Sequence, residues 1–139
     1  MLITEMLSRN AQMYPNEVSL IERDPERNRR REITWLEFEN QSNRLANALQ
    51  ALGISKGDKV ALLMMNCLEW LPIYFGILKT GALVAPFNFR FTAEEIKKCV
   101  EMSESKILIY GPEFQEKIEQ IRKEGTSIQE FIYVGENCP

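Results

Sequence analysis

Apolar positions along this chain recur with two different periods, and the switches between them divide it into elements. Leu2, Met6 and Leu7 fall at helical spacing with Pro15 just beyond, so residues 2 to 13 predict a short helix. Val18 to Arg23 predicts a strand, the turn-rich Asp24-Pro25-Glu26-Arg27-Asn28 a reversal, and the stretch through Ile33 a second strand. The two strands are expected to form a hairpin. Thr34 then opens a helix, with Glu37 at the spacing at which each side chain satisfies a free backbone N–H near the helix start. Phe38, Ser42, Leu45, Ala46, Leu49 and Leu52 line one face of that helix, and Gly53 supplies a left-handed exit.

After Lys56-Gly57-Asp58 the pattern changes to the nearly unbroken apolar run Lys59 to Met64, the mark of a strand buried on both faces. Asn66 and Glu69 have the spacing of a helix cap and its third residue, with Pro72 tolerable in the first turn. Trp70, Ile73, Tyr74, Ile77 and Leu78 form the stripe of this helix, and Gly81 ends it. Ala82 to Pro86 predicts a strand. Thr92 with Glu95 opens a helix that continues through Ile96, Cys99 and Val100. Lys106 to Tyr110 predicts a strand, Pro112 to Lys123 a helix and Phe131 to Val134 a last strand. Three consecutive strand–helix–strand units imply a doubly wound α/β fold: a largely parallel sheet with helices on both faces, preceded by a short helix and a β-hairpin. The expected division is a helix and hairpin over 1–34 and an α/β unit over 35–139.

Composition removes several function classes. The 139 residues include 45% hydrophobic and 27% charged positions, enough apolar material for a packed core. A net charge of −3 and a pI near 5.2 argue against a nucleic-acid module. No apolar run reaches the roughly 20 residues that cross a bilayer. Leu71 to Phe89, the longest candidate, is broken by Pro72, Lys79, Gly81 and Pro86. The start MLITEMLSRN lacks the basic and apolar regions of a signal peptide, so a cytoplasmic location is expected. Cys67, Cys99 and Cys138 lie far apart, as reduced thiols of a cytosolic protein do. The chain has no histidine, which excludes serine–histidine triads, cysteine–histidine pairs and histidine-ligated zinc.

Open α/β sheets bind ligands at the carboxyl ends of their strands. Met65 to Glu69, after the first parallel strand, carries no glycine, and neither a dinucleotide fingerprint nor a Walker loop occurs anywhere. A receiver-type phosphoacceptor would need an aspartate where Met64-Met65-Asn66 stands. Asn66 is expected as a cap, not a substrate contact. Asn88-Phe89-Arg90 follows the second parallel strand, and the planar fork of Arg90 suits a carboxylate or phosphate. Asn88 and Arg90 are therefore the substrate-binding candidates, while Phe87, Phe89 and Phe91 read as packing residues. Arg27, Arg29, Arg30 and Arg31 form the basic cluster, which reads as a solvated turn beside Asp24, Glu26 and Glu32. Glu94 and Glu95 suit a first helical turn without any acid–base role. No catalytic residue and no metal ligand is assigned.

The order of these segments resembles the AMP-forming acyl-CoA synthetases, a family of adenylate-forming ligases. Ala11 and Pro15 before Val18-Ser19-Leu20-Ile21 resemble its opening, and Ile33-Thr34-Trp35-Leu36-Glu37-Phe38 its "TYxEL" segment. Asn43-Arg44-Leu45-Ala46, Leu52-Gly53-Ile54, Gly57-Asp58-Lys59-Val60-Ala61 and Asn66 through Trp70 follow in family order. So do Phe75 to Ala82, Pro86 to Thr92 and Ser103 to Ile109. Asn88-x-Arg90 is more similar to the CoA ligases than to peptide-synthetase adenylation domains, with Phe89 where proline is usual.

The resemblance implies ATP, CoA and Mg²⁺ for a full-length parent, a carboxylic acid (a fatty acid is expected) as substrate, and none of these bound to this chain alone. It also implies what is missing. No Ser/Thr/Gly-rich loop ending in Pro-Lys-Gly, no Tyr-Gly-x-Thr-Glu segment, no Thr-Gly-Asp and no carboxy-terminal catalytic lysine segment is present. The expectation is an amino-terminal fragment, inactive by itself, whose partner is the remainder of the synthetase. Self-association through an exposed sheet edge is expected, and neither nucleic acid nor a transmembrane segment is. The rival expectation is a stand-alone, non-enzymatic α/β interaction or regulatory module.

Overall fold

The computed structural model describes residues 1–136 as α1 (Ile3–Met13), β1 (Val18–Asp24), β2 (Arg29–Thr34), α2 (Trp35–Ala51), β3 (Lys59–Leu63) and α3 (Trp70–Lys79). They continue as β4 (Leu83–Pro86), α4 (Ala93–Ser103), β5 (Ile107–Tyr110), a 3₁₀ turn (Pro112–Phe114), α5 (Gln115–Glu124) and β6 (Glu130–Tyr133). Cys138 lies outside the described residues. The chain forms two compact units, residues 1–53 with 66–80, and residues 54–65 with those from 81 on.

In the first unit β1 and β2 pair antiparallel as the expected hairpin, with Glu22 opposite Arg31 and an irregularity between Val18 and Leu20. Thr34 Oγ1 accepts the Glu37 N–H at 3.2 Å and Glu37 Oε2 accepts the Thr34 N–H at 2.8 Å, so the capping box that starts α2 is complete. The core consists of Leu7, Ile33 and Phe38, against which Leu20, Trp35, Leu68 and Phe75 pack. Phe38 meets Phe75 edge-on at 5.1 Å, a favoured aromatic geometry. Helices α2 and α3 approach closely at Gly76, where an added Cβ would lie 3.0 Å from Leu45 Cβ, Leu45 Cδ2 and the Ser42 carbonyl. Beside that contact the buried Ser42 hydroxyl donates to the Pro72 carbonyl at 3.1 Å. Lys79 joins the helices at their far end, donating at 2.7 Å to both Glu39 Oε2 and Asn43 Oδ1.

The cap expected at Asn66 is not formed. Helix α3 begins at Trp70 with Glu69 as its cap residue, and no side-chain oxygen caps it. Residues 66–69 form a loop whose Leu68 N–H is held by Glu22, and that long-range bond replaces the local one. Within α3, Ile73 and Ile77 are buried as expected, joined by Pro72 and Gly76, while Trp70, Tyr74 and Leu78 are half-buried.

The second unit is a four-stranded, all-parallel sheet in the order β4-β3-β5-β6. The chain leaves β3 for β4 on one side and then crosses back past β3 to β5 and β6. That reversal makes the sheet doubly wound. Ala61, Leu63, Leu108 and Tyr110 on one face pack with Ile96 and Val100 of α4 and Ile118 and Ile121 of α5. The alternate residues Val60, Leu62, Ile107 and Ile109 are no more than 1% exposed, so both faces of the two central strands are buried. Thr92 and Glu95 complete a second capping box at the start of α4. That helix ends on Glu104 in the left-handed region at φ 55°. The stretch expected as one helix from Pro112 is split, because a 3₁₀ turn precedes α5 and Phe114, at φ −107°, breaks the helical run. At the amino ends of the strands, Lys106 Nζ lies 2.9 Å from Asp58 Oδ1. This hydrogen bond, with the Ser55 N–H, holds the Asp58 carboxyl below its usual range.

Candidate functional site

The carboxyl end of β4 runs directly into the loop that carries both sequence candidates. The Phe87 N–H extends the ladder to the Leu62 carbonyl at 2.9 Å. Asn88 then turns the chain: its Oδ1 accepts the Arg90 N–H at 2.9 Å and its carbonyl accepts the Phe91 N–H at 3.1 Å. Asparagine suits such a turn because its side chain imitates a backbone acceptor. One residue later Thr92 caps α4, and from α5 Lys117 Nζ donates to the Phe91 carbonyl at 2.8 Å.

The structure thereby separates the two candidates. The Asn88 side-chain oxygen is engaged by the loop's own backbone. The exposed Arg90 guanidinium lies over the Phe89 ring at 5.4 Å and forms no ion pair among the described residues. Its five donors remain oriented towards solvent at the end of a parallel strand, where an anionic group can be met. Phe87 and Phe91 pack against the core cluster as expected, whereas Phe89 is 47% exposed.

The first unit holds a charge cluster that sequence reading missed. Arg31 is not part of a solvated turn: it sits in β2, half-buried, and grips two carboxylates at once. Its Nε donates to Glu22 Oε2 at 2.8 Å and its Nη2 to Glu22 Oε1 at 3.0 Å. Its Nη1 and Nη2 donate to Glu69 Oε1 and Oε2 at 2.7 and 3.1 Å. Glu22 Oε1 also accepts the Leu68 N–H at 3.1 Å, so the hairpin and the loop before α3 are joined through one guanidinium. The hydrogen bond from Arg31 pulls the Glu22 carboxyl below its usual range against the opposing effect of burial. For Glu69 burial is the largest influence and acts upward, but Arg31 and a backbone donor outweigh it and the carboxyl ends lower. The other arginines of the cluster face acidic partners, Arg27 at 3.7 Å from Asp24, Arg29 at 3.8 Å from Glu22 and Arg30 at 2.7 Å from Glu32. The cross-strand opposition of Glu22 and Arg31 was available from the hairpin pattern, but nothing local pointed to Glu69.

Leu20, Ile21, Asn66, Cys67, Leu68 and Leu71 line a half-open cleft of about 270 Å³ beside this cluster. Burial, followed by the nearby charge of Glu69, pushes the Cys67 thiol up to about 11. It is thus a protonated packing group at neutral pH. Among the described residues no group of three His, Cys, Asp or Glu side chains could hold a metal ion. No described helix is long and apolar enough to cross a membrane.

The chain is 41% identical over 90 residues to a long-chain-fatty-acid–CoA ligase, FadD13, of Mycobacterium tuberculosis, a match over 65% of this chain and 18% of that protein. It is 34% identical over 130 residues to the crotonobetaine/carnitine–CoA ligase of Citrobacter koseri, over 93% of this chain and 25% of that one. Among solved structures, the N-terminal domain of FACL13 from Mycobacterium tuberculosis, bound to an inhibitor, superposes with a TM-score of 0.85 at 34% identity. That match covers 95% of this chain and 33% of the other. This chain thus spans a quarter or less of the two ligases. Residues 7–137 match the family model for AMP-binding enzymes, and the chain belongs to that family.

Proposed function

We propose that this chain is the amino-terminal part of an ATP-dependent carboxylic acid–CoA ligase, with a fatty acid as the expected substrate, and that by itself it is a scaffold without turnover. In the reaction the substrate carboxylate attacks the α-phosphate of ATP and pyrophosphate leaves. The CoA thiol then attacks the acyl carbon of the acyl-adenylate and AMP leaves, giving the thioester. Mg²⁺, when bound, neutralises phosphate charge during the first step, and its ligands would come from outside this stretch.

The residues here contribute position. The parallel sheet fixes the 87–92 loop at its carboxyl edge, Asn88 sets the turn, and Arg90 presents a free guanidinium to an anionic part of a substrate. No residue of the chain carries a nucleophile, general base or phosphate loop for either step. The observation that carries the ligase reading is the 34% identity extending over 93% of the chain to a CoA ligase. The inactivity reading is supported by the sequence's lack of a phosphate loop and a catalytic lysine segment.

Two measurements test the two halves. Titration calorimetry of this chain with ATP, CoA and fatty acids of graded length should give no heat of binding, and micromolar ATP binding would overturn the scaffold role. The polypeptide read from the gene beyond codon 139 should form AMP only when ATP, CoA and an acid are all present. No AMP with any carboxylic acid tested would overturn the ligase assignment.

A further inference from the structure

The cleft beside the Arg31 cluster has two apolar walls. Leu20 and Ile21 of β1 form one; Leu68, from the loop, and Leu71, from the first turn of α3, form the other. Leu20 and Leu68 also pack on the core of this unit, whereas Ile21 and Leu71 are exposed, so the walls run from core to solvent. A concave apolar surface of this kind takes a small ligand when a few polar groups fix its orientation. At about 270 Å³ the cleft has room for one compact apolar group and its head.

Glu22, Arg23, Asn66 and Cys67 supply the polar lining. Both oxygens of Glu22 are held by Arg31, and one also accepts the Leu68 N–H, so its charge is compensated. The Cys67 thiol is neutral. Arg23 differs from its neighbours. Arg27, Arg29, Arg30 and Arg31 each lie near a carboxylate, but Arg23 is exposed and its side chain has no partner among the described residues. In the hairpin ladder it stands opposite Arg30, a like-charge pairing that disfavours the sheet until an anion offsets it. Strand alternation puts Arg23 on the same side of β1 as Ile21, about 7 Å further along. Asn66 is also unengaged: the cap expected of it is not formed, and its amide has no partner among the described residues. That amide offers a donor and an acceptor side by side.

We infer that this cleft binds an N-acylated apolar α-amino acid of about leucine size. The Arg23 fork takes the carboxylate, the side chain enters between the two apolar walls, and the Asn66 carbonyl accepts the N–H of the acylated amine. A free amino group would set an ammonium beside Arg23, the one uncompensated charge in the lining, so the neutral acyl amide is the form that fits. A straight-chain acid has no N–H for Asn66, and its chain leaves the cleft for solvent. The inference does not depend on the ligase reading, since every group it uses lies in residues 20–23 and 66–71.

The test is an NMR titration of this chain with N-acetyl-L-leucine. Signals of residues 20–23 and 66–71 should shift together with a Kd of about 1 mM, ordinary for a ligand of about a dozen heavy atoms. N-acetyl-leucinamide, without the carboxylate, N-acetylglycine, without the side chain, and hexanoate, without the amide, should each bind at least about tenfold more weakly. Arg23→Gln should weaken N-acetyl-L-leucine by about tenfold or more and Arg23→Lys by less, while Arg9→Gln, outside the cleft, leaves the Kd unchanged. Bound ligand should also slow alkylation of Cys67, which lines the cleft. Shifts that map elsewhere, no saturation by about 20 mM, or an unchanged Kd in an Arg23→Gln chain with an otherwise native spectrum would each overturn the inference. So would leucinamide or hexanoate derivatives binding as tightly as the acylated acid, because the carboxylate or the amide would then have no role.

Discussion

Replacing Arg31 by methionine tests the charge cluster of the first unit, because methionine keeps most of the apolar stem and removes only the guanidinium. Arg31 makes four hydrogen bonds of 2.7–3.1 Å to Glu22 and Glu69. The side chains of Arg31, Glu22 and Glu69 are 32%, 17% and 38% exposed. Exposed ion pairs contribute about 0–1 kcal/mol, and removing one partner of a buried pair costs about 3–5 kcal/mol. Two half-buried carboxylates left facing each other place the expected loss between these limits, at about 2 kcal/mol. With a urea m-value of about 2 kcal/mol/M, the unfolding midpoint should fall by about 1 M.

The pH dependence has a defined sign. Both carboxyls are lowered in the folded state. Their stabilisation is complete above the ordinary glutamate range and is lost as pH falls through the lowered folded values. The gap between wild type and Arg31→Met should therefore be constant from about pH 6 to 8 and narrow below about pH 4. Adding Glu22→Gln and Glu69→Gln to Arg31→Met should recover part of the loss, since neutral amides remove the unpaired charges. A midpoint shift under about 0.3 M, or a gap as wide at about pH 2 as at pH 7, would refute the assignment of stability to this cluster.

Four further outcomes follow from local geometry. Thr92→Ala removes the acceptor for the Glu95 N–H and should cost about 1 kcal/mol in urea unfolding, with Thr92→Ser close to wild type. Gly76→Val places methyl groups where even a Cβ meets Leu45 and Ser42 at 3.0 Å, and should lower stability by about 2–3 kcal/mol, read by the same assay. Glu104→Gly relieves a non-glycine residue at φ 55° and should raise stability by about 0.5–1 kcal/mol in thermal unfolding, in contrast to a loss if the side chain were needed there. Iodoacetamide should alkylate Cys67 at pH 8 at least about tenfold more slowly in the native chain than in urea. Its native rate should rise as pH approaches about 11, and equal rates in both states would contradict its burial.

Features with short-range causes could be read directly from the residues. Both capping boxes join partners three residues apart, so Thr34–Glu37 and Thr92–Glu95 were legible as helix starts and form as read. The apolar run from Lys59 marked a strand covered on both sides, and β3 lies inside the sheet. The serial strand–helix pattern led to a parallel, doubly wound sheet, because crossovers between parallel strands have one hand. The position of Asn88 and Arg90 after a strand was also visible.

Other features depended on contacts between residues distant in the chain. The strand order β4-β3-β5-β6 follows from which strands meet across the core and not from any local pattern. The local spacing at Asn66 and Glu69 suggested a cap, but Glu69 is drawn to Arg31, 38 residues away, and the Leu68 N–H to Glu22, 46 residues away. A charge-assisted, two-pronged contact outweighs one neutral capping bond. Asn88 and Arg90 were both substrate candidates, Arg90 the foremost; the turn engages the Asn88 side-chain oxygen, while Arg90 forms no ion pair among the described residues. Sequence alone determined what each segment could become, because propensity, capping and periodicity act over a few residues. Tertiary structure decided which polar groups remain free for function, because satisfying buried and half-buried hydrogen bonds is a condition on the whole packed chain.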